Sequence, residues 1–167
     1  MPPRDPADLR LLDGVVEACT VLAEAGLALV VVTNQPDIAR GTLAATQVEE
    51  MHRQLRAWLP LDDVVVCPHD DADGCACRKP RPGMILDAAE RLGLDLSRSV
   101  SVGDRWRDIE AARAAGVPSV YIEWGHGEPL SSPPDATFGS LWEAVDHLLE
   151  ITGARTASTT DQQGTTT

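Results

Sequence analysis

Apolar positions along the chain follow two alternating rhythms. Leu12, Val15, Val16, Cys19, Leu22 and Ala23 recur at steps of three and four, which places them on one face of a helix, and Gly26 supplies a stop. The rhythm then changes to an unbroken, β-branched run, LALVVV at 27–32, the pattern of a strand buried on both faces of a parallel sheet. The same succession repeats down the chain. Helices are predicted over 44–59, 83–93, 106–116 and 140–151, and strands over 62–68, 99–104 and 118–124. Strands alternating with helices of this length predict an α/β fold, a parallel sheet with helices on both faces. Residues 1–151 form the predicted domain. Residues 152–167 are almost devoid of apolar side chains and are expected to be a disordered tail.

Composition narrows the function. The 167 residues carry a formal net charge of −12, which excludes a general binder of nucleic acid or anionic membranes. A small phosphorylated substrate needs only a local basic pocket and stays allowed. No apolar run approaches a membrane span, and no charged-then-apolar leader opens the chain, so the expected compartment is the cytoplasm. A monomer is the default expectation. Cys19 stands alone on an apolar helical face, as a core thiol does.

The other three cysteines crowd into "CPHDDADGCACRKPRPGM", residues 67–84. Cys67, His69, Cys75 and Cys77 form two close pairs joined by a loop containing Asp and Gly. Three thiolates and an imidazole are a closed tetrahedral set for zinc, with no position left for water, so the predicted role is structural. A redox pair is the competing reading. It is disfavoured because the spacing is CxC and because it gives His69 no task.

Ligands of such sheets gather at the carboxyl ends of the strands. The first strand ends in Thr33, Asn34 and Gln35, a hydroxyl followed by backbone amides suited to phosphate oxygens, or an ordinary polar turn. Lys79 follows the cysteine loop at once and is the only lysine beside thirteen arginines, so a compact ammonium is a distinctive choice there. The third strand ends in Gly103, Asp104 and Arg105. Asp104 offers hard oxygen ligands for Mg2+; Asp108, one turn later, can support Asp104 or cap the helix.

"VVVTNQPDIARG", "CPHDDADGCACRKPRPGM" and "SVGDRWRDIEAARAAGV" together resemble the blocks of the haloacid dehalogenase superfamily. The branch they resemble has a zinc loop and contains the heptose bisphosphate and histidinol-phosphate phosphatases. The resemblance spans about residues 9–150 and implies a Rossmann-like parallel sheet. It also implies Mg2+-dependent hydrolysis of a phosphomonoester through an aspartyl-phosphate. It assigns Thr33 and Lys79 to catalysis, as stabilisers of the transferring phosphoryl group. Thr33, Asn34, Gln35, Pro36, Arg78, Lys79 and Arg105 become substrate contacts, Arg78 by recognition, and Asp104 the Mg2+ ligand. Arg105 stands where the family often has lysine, and Pro36 where it often has a small hydroxyl residue.

One block of the family has no counterpart. Its first strand, central in the sheet, ends in an Asp-x-Asp motif whose first member is the nucleophile. This chain begins "MPPRDPADLRLLDGVVEA". Asp5 and Asp8 follow no buried strand, and Asp13 stands at a helix start. The expected result is a sheet without its central strand and a 167-residue chain without turnover. The alternative function is a non-catalytic, zinc-stapled remnant that binds phosphate or a partner. An isolated zinc-ribbon module is disfavoured because the loop lies inside a βαβ chain.

Overall fold

The computed structural model describes residues 5–125 and 128–154. Among the described residues, eleven α-helices and strands follow one another, besides three single turns of 3-10 helix: α1 Val15–Glu24, β1 Val30–Asn34, α2 Pro36–Ala39, α3 Ala45–Trp58, β2 Asp63–Cys67, α4 Gly83–Leu92, β3 Ser101–Gly103, α5 Trp106–Ala115, β4 Ser119–Ile122, β5 Ala136–Phe138 and α6 Leu141–Thr152. The predicted α/β alternation holds, and every strand pairing among the described residues is parallel.

Boundaries move where a non-local partner decides them. β1 begins three residues later than its apolar run, because its ladder starts only where β2 starts, at Val30 opposite Asp63. Before that point the Leu29 amide donates to the Asp62 carboxylate, and the Asp62 amide donates to the Leu29 carbonyl. The short strand β5 and the single-turn helix α2 carry no periodic pattern and were not expected. α6 ends at Thr152, one residue inside the predicted tail, with Gly153 in the left-handed conformation that closes a helix. The rest of that tail from residue 155 lies outside the described residues.

The sheet is in two parts. Among the described residues β1 pairs only with β2, and β3–β4–β5 form a separate ladder. Helices α1 and α6 pack together over the three-stranded part. There Ala18, Leu22, Val120, Ile122, Leu148 and Leu149 form the main core, each large side chain contributing about 2 kcal/mol by burial. Helices α4 and α5 contact each other on the other side, α4 against β1 and β2, α5 against β3 and β4. Leu43, Val48 and Met51 make a second, smaller core under α3.

Between the two ladders lies a cavity of about 700 Å3 lined by Val30, Val31 and Val32 of β1, Val102 of β3, Leu22 of α1 and Ala88 of α4. This corrects one expectation: no residue of β1 is fully buried, and Val102 is 37% exposed. The apolar runs form strands of the sheet as expected, but β1 and β3 line the cavity and keep partial exposure, whereas all four residues of β4 are buried. Asp5 and Asp8 lie elsewhere. Asp5 caps the short turn Pro6–Asp8 through the Ala7 amide, and that turn rests against α3.

Candidate active site and metal centre

Cys67 ends β2 fully buried, His69 follows two residues later, and the chain turns through Asp71–Asp73 to bring Cys75 and Cys77 back. Gly74, with φ of 61°, makes the reversal. The loop seats on α4, where the Gly83 amide donates to the Ala76 carbonyl at 3.1 Å. A Cβ at Gly83 would lie 2.4 Å from that oxygen, so the close approach requires glycine. Arg81 donates to the Cys75 carbonyl.

The four donor atoms lie within 4.8 Å of one another. The sulfurs are separated by 3.6 Å (Cys67–Cys75), 3.2 Å (Cys67–Cys77) and 3.3 Å (Cys75–Cys77). His69 Nδ1 lies 3.7 Å from Cys67 Sγ and 3.3 Å from Cys77 Sγ. A disulfide needs about 2.05 Å, and all three thiols are free. A tetrahedron with metal–sulfur bonds of about 2.3 Å has sulfur–sulfur edges of about 3.8 Å. The observed edges are those of such a tetrahedron slightly contracted. Charge tells the same story. Burial opposes ionisation at Cys75, but hydrogen bonds from Cys77, the Arg78 amide and Cys67 bring its thiol down to about 7. Burial and the neighbouring sulfurs push Cys77 up to about 12. Three thiolates cannot coexist here without a cation, and the donor set suits a soft-ligand, tetrahedral metal.

The polar residues at the ends of β1 and β3 converge on Lys79. Asn34 Oδ1 accepts from the Lys79 amide at 3.0 Å and Asn34 Nδ2 donates to the Lys79 carbonyl at 3.1 Å, so this side chain clamps the lysine backbone from both sides. The following Lys79–Pro80 peptide is cis. Lys79 Nζ donates to the Val32 carbonyl at 2.8 Å and to Asp108 Oδ1 at 2.5 Å. Asp108 is buried, and its other oxygen accepts from the Arg105 amide at 3.1 Å, capping α5. Asp108 fits only because residue 103 is glycine. A Cβ there would lie 2.3 Å from the Asp108 Cβ. Asp104, between Gly103 and Arg105, therefore stands at the same corner, directly after β3.

Thr33 is the penultimate residue of β1, and its hydroxyl accepts from Gln35 Nε2 at 3.4 Å. The Gln35 amide is taken by the Cys67 carbonyl at 2.8 Å, and Pro36 opens α2. Two arginines point away from this corner. Arg105 pairs with Glu128, and Arg78 reaches into the cysteine loop, where it donates to both oxygens of Asp71 and to the His69 carbonyl. A second clamp joins α2 to the loop: Arg40 donates to both oxygens of Asp70 at 2.6 and 2.8 Å and holds that carboxyl at about 2.

Sequence reading left Asp108 with two roles. It performs the cap, and it also neutralises Lys79, a pairing across 29 positions that no spacing rule reveals. Asp70, Asp71, Arg40 and Arg107 went unnoticed, since each looks like ordinary surface charge.

The sequence model of the haloacid dehalogenase-like hydrolases matches residues 5–116. A D-glycero-β-D-manno-heptose-1,7-bisphosphate 7-phosphatase of Pseudomonas aeruginosa is 42% identical over 144 residues, covering 81% of both chains. The enzyme of the same name from Yersinia pestis is 39% identical over 164 residues, 89% of this chain and 85% of its own. Among solved structures, the D,D-heptose 1,7-bisphosphate phosphatase of B. bronchiseptica, complexed with magnesium and phosphate, superposes with a TM-score of 0.77. It is 33% identical over 88% of either chain. The match in sequence and in fold places this chain in the haloacid dehalogenase-like hydrolase family, as a phosphatase.

Proposed function

We propose that this phosphatase hydrolyses a phosphomonoester of a small bisphosphorylated sugar of the heptose kind, with Mg2+ at Asp104 and zinc in the cysteine loop. The observation that carries the proposal is Lys79, the only lysine in the chain. Its ammonium group is drawn between the ends of β1 and β3 by Val32 and Asp108 and fixed in place by Asn34. A positive point charge held at the carboxyl ends of parallel strands suits charge on a transferring phosphoryl group, which fixed groups stabilise more than water does.

The chain's own residues then divide the work. The Thr33 hydroxyl and Lys79 hold phosphoryl oxygens, with the backbone after Thr33 continuing the cradle over Gln35 and Pro36. Asn34 and Asp108 keep Lys79 in position. Arg78 and Arg105 meet the rest of the substrate. Zinc in Cys67, His69, Cys75 and Cys77 would staple the loop from which Arg78 and Lys79 emerge. Mg2+ at Asp104 would supply the charge that a metal lends to phosphoryl transfer. The attacking carboxylate is not supplied by Asp5 or Asp8, which sit in the turn beside α3. It would come from a strand filling the cavity between β1 and β3, and the 167 residues alone are expected to show no turnover. The same cavity favours a second reading, a phosphate-binding protein without catalysis. The domain is taken as residues 1–151, cytoplasmic and monomeric, with no role in binding nucleic acid. Among the described residues, no helix is long and apolar enough to cross a membrane.

Phosphate release from heptose 1,7-bisphosphate and from histidinol phosphate tests this, comparing the 167-residue chain with one preceded by an apolar strand ending in Asp-x-Asp. The extended chain should be active with Mg2+ and prefer the heptose, while the shorter chain is silent. Turnover by the shorter chain would overturn the mechanism. A folded, metal-loaded extended chain that hydrolyses neither substrate would favour the binding protein.

A further inference from the structure

The segment between β4 and β5 leaves the sheet beside the candidate site. Gly103, the last residue of β3, pairs with Tyr121 of β4, so the chain beyond Ile122 starts next to Asp104 and Arg105. This segment is tied down where it begins and where it ends. The Glu123 amide donates to the Phe138 carbonyl at 2.9 Å. The Ser132 hydroxyl donates to Glu110 of α5, and Arg113 of α5 donates to the Pro133 carbonyl at 3.3 Å. Asp135 accepts from the amide and the hydroxyl of Ser119 at 2.7 and 2.9 Å. Between these ties Glu128 accepts from Arg105, the residue at the N-terminal cap of α5.

Only half of the Glu128 carboxylate is used. Oε1 takes one N–H of Arg105, while Oε2 is buried and has no hydrogen-bond partner. The Glu128 and Arg105 side chains are 35% and 41% exposed, so the pair stands at a rim with one acceptor turned inward. Two other arginine–carboxylate pairs near the site, Arg40–Asp70 and Arg78–Asp71, engage both oxygens. An ion pair serving stability alone would do the same, or would turn its second oxygen to water. A buried acceptor without a donor is costly and marks a position where a donor is expected. A phosphate group does not meet that need, because it brings acceptor oxygens and a charge of the same sign. A hydroxyl group does: it can donate to the carboxylate and accept from the guanidinium beside it.

We propose that Glu128 is a specificity-determining residue, whose Oε2 accepts from a hydroxyl group on the part of the sugar that carries no transferring phosphate. Arg105 holds the carboxylate in place for this contact. The Arg105 amide is bonded to Asp108, which in turn fixes Lys79, so the carboxylate and the lysine are both tied to one corner. With the phosphoryl group on Thr33 and Lys79, the organic part of the ester extends outward. Arg105 turns away from Lys79 in the same sense, toward the segment after β4. An ester without the hydroxyl leaves Oε2 unpaired and forgoes the contact, and that difference is the source of discrimination. The inference rests on the phosphatase reading of this corner. It adds the class of ester preferred there, a polyhydroxylated phosphate ester over an alkyl phosphate.

Calorimetric titration of the metal-loaded 167-residue chain with heptose 7-phosphate and with ethyl phosphate tests it, since ethyl phosphate offers the phosphoryl group without any hydroxyl on its carbon chain. The heptose ester should bind about tenfold more tightly, the gain expected from one hydrogen bond to a charged group. Glu128→Ala should weaken binding of the heptose ester about tenfold and should not weaken that of ethyl phosphate, so the preference disappears. Glu128→Gln keeps the length and an acceptor oxygen and should recover part of the loss. The melting temperature of each variant reports whether the segment stays tied. A carboxylate that merely fastens the segment to α5 would move both esters alike, or neither. Equal binding of the two esters by the parent, a preference undiminished by Glu128→Ala, or equal weakening of both overturns the assignment and leaves the phosphatase reading standing. Failure of both esters to bind overturns the two together.

Discussion

Replacing Lys79 by Met keeps the length of the side chain and removes its charge. In the native protein the Lys79 and Asp108 side chains are 14% and 10% exposed, with 2.5 Å between Nζ and Oδ1. After the substitution the Asp108 carboxylate retains the Arg105 amide at 3.1 Å but loses its counter-ion, and the Val32 carbonyl loses its donor. Removing one partner of a buried ion pair costs about 3–5 kcal/mol. The surviving amide contact and the slight solvent access place the expected loss at the low end, about 3 kcal/mol. For a domain of this size that is a fall in Tm of roughly 6–12 °C. Adding Asp108→Asn to Lys79→Met removes the orphaned charge, so the double variant should recover at least about 1.5 kcal/mol of the loss, the coupling typical of residues in contact. Urea denaturation of the four proteins of this cycle gives the coupling directly. A single variant as stable as the parent, or a double variant whose loss is the sum of the two single losses, would refute the claim that Asp108 exists to neutralise Lys79.

The other predictions concern the supports of the site. Protein purified without added metal should carry about one zinc ion per chain. Cys75→Ser should lower its affinity by more than about tenfold, since even outer partners of a ligand are worth that much; metal analysis during competition with a chelator measures it. Gly103→Ala should destabilise the protein by about 1–3 kcal/mol, because the new Cβ would lie 2.3 Å from that of Asp108 and one of them must move; a denaturation midpoint equal to the parent's would show that the corner is loose. His52 is 4% exposed, and burial holds its pKa below the usual 6.5. Unfolding frees it to bind a proton, so its effect on stability is absent above about pH 6.5 and becomes a loss as pH falls from there toward the folded pKa. Melts at pH 7.5 and 5.5 should show a smaller decline for His52→Gln than for the parent.

What the sequence disclosed depended on how local each feature is. Cys67, His69, Cys75 and Cys77 sit within eleven positions, and their chemistry is legible because the loop that joins them does little except bring them together. The alternation of helices and strands was legible for the same reason, each period being contained in its own segment. β1 was misplaced by three residues because its start is set by Asp62 and Asp63, more than thirty positions away. β5, three residues among serines and prolines, becomes a strand only by pairing with β4. The division of the sheet into two ladders, with valines in β1 and β3 facing a cavity, is visible only when the two ladders are seen apart.

Charged residues were the hardest to read, because sequence gives their sign and not their partner. Asp71 and Arg107 look like solvated surface in a chain where acids outnumber bases, and by count alone that is the right expectation. Two facts of space change it. Arg78 is buried, so its counter-ion is an obligation rather than an accident of the surface, and Arg107 is held by Trp106 with a donor hidden from water. A buried cation that must have an anion differs from an ordinary surface salt bridge. On the acidic side the same test separates Asp108 from the partly buried Asp37 and the exposed Asp87, whose arginine partners lie within a helical turn or so and are about half exposed. Pairs of that kind are worth little. Burial of at least one charged partner, rather than the number of ion pairs, is what identifies Lys79–Asp108 and Arg78–Asp71 as the two positions around which this site is built.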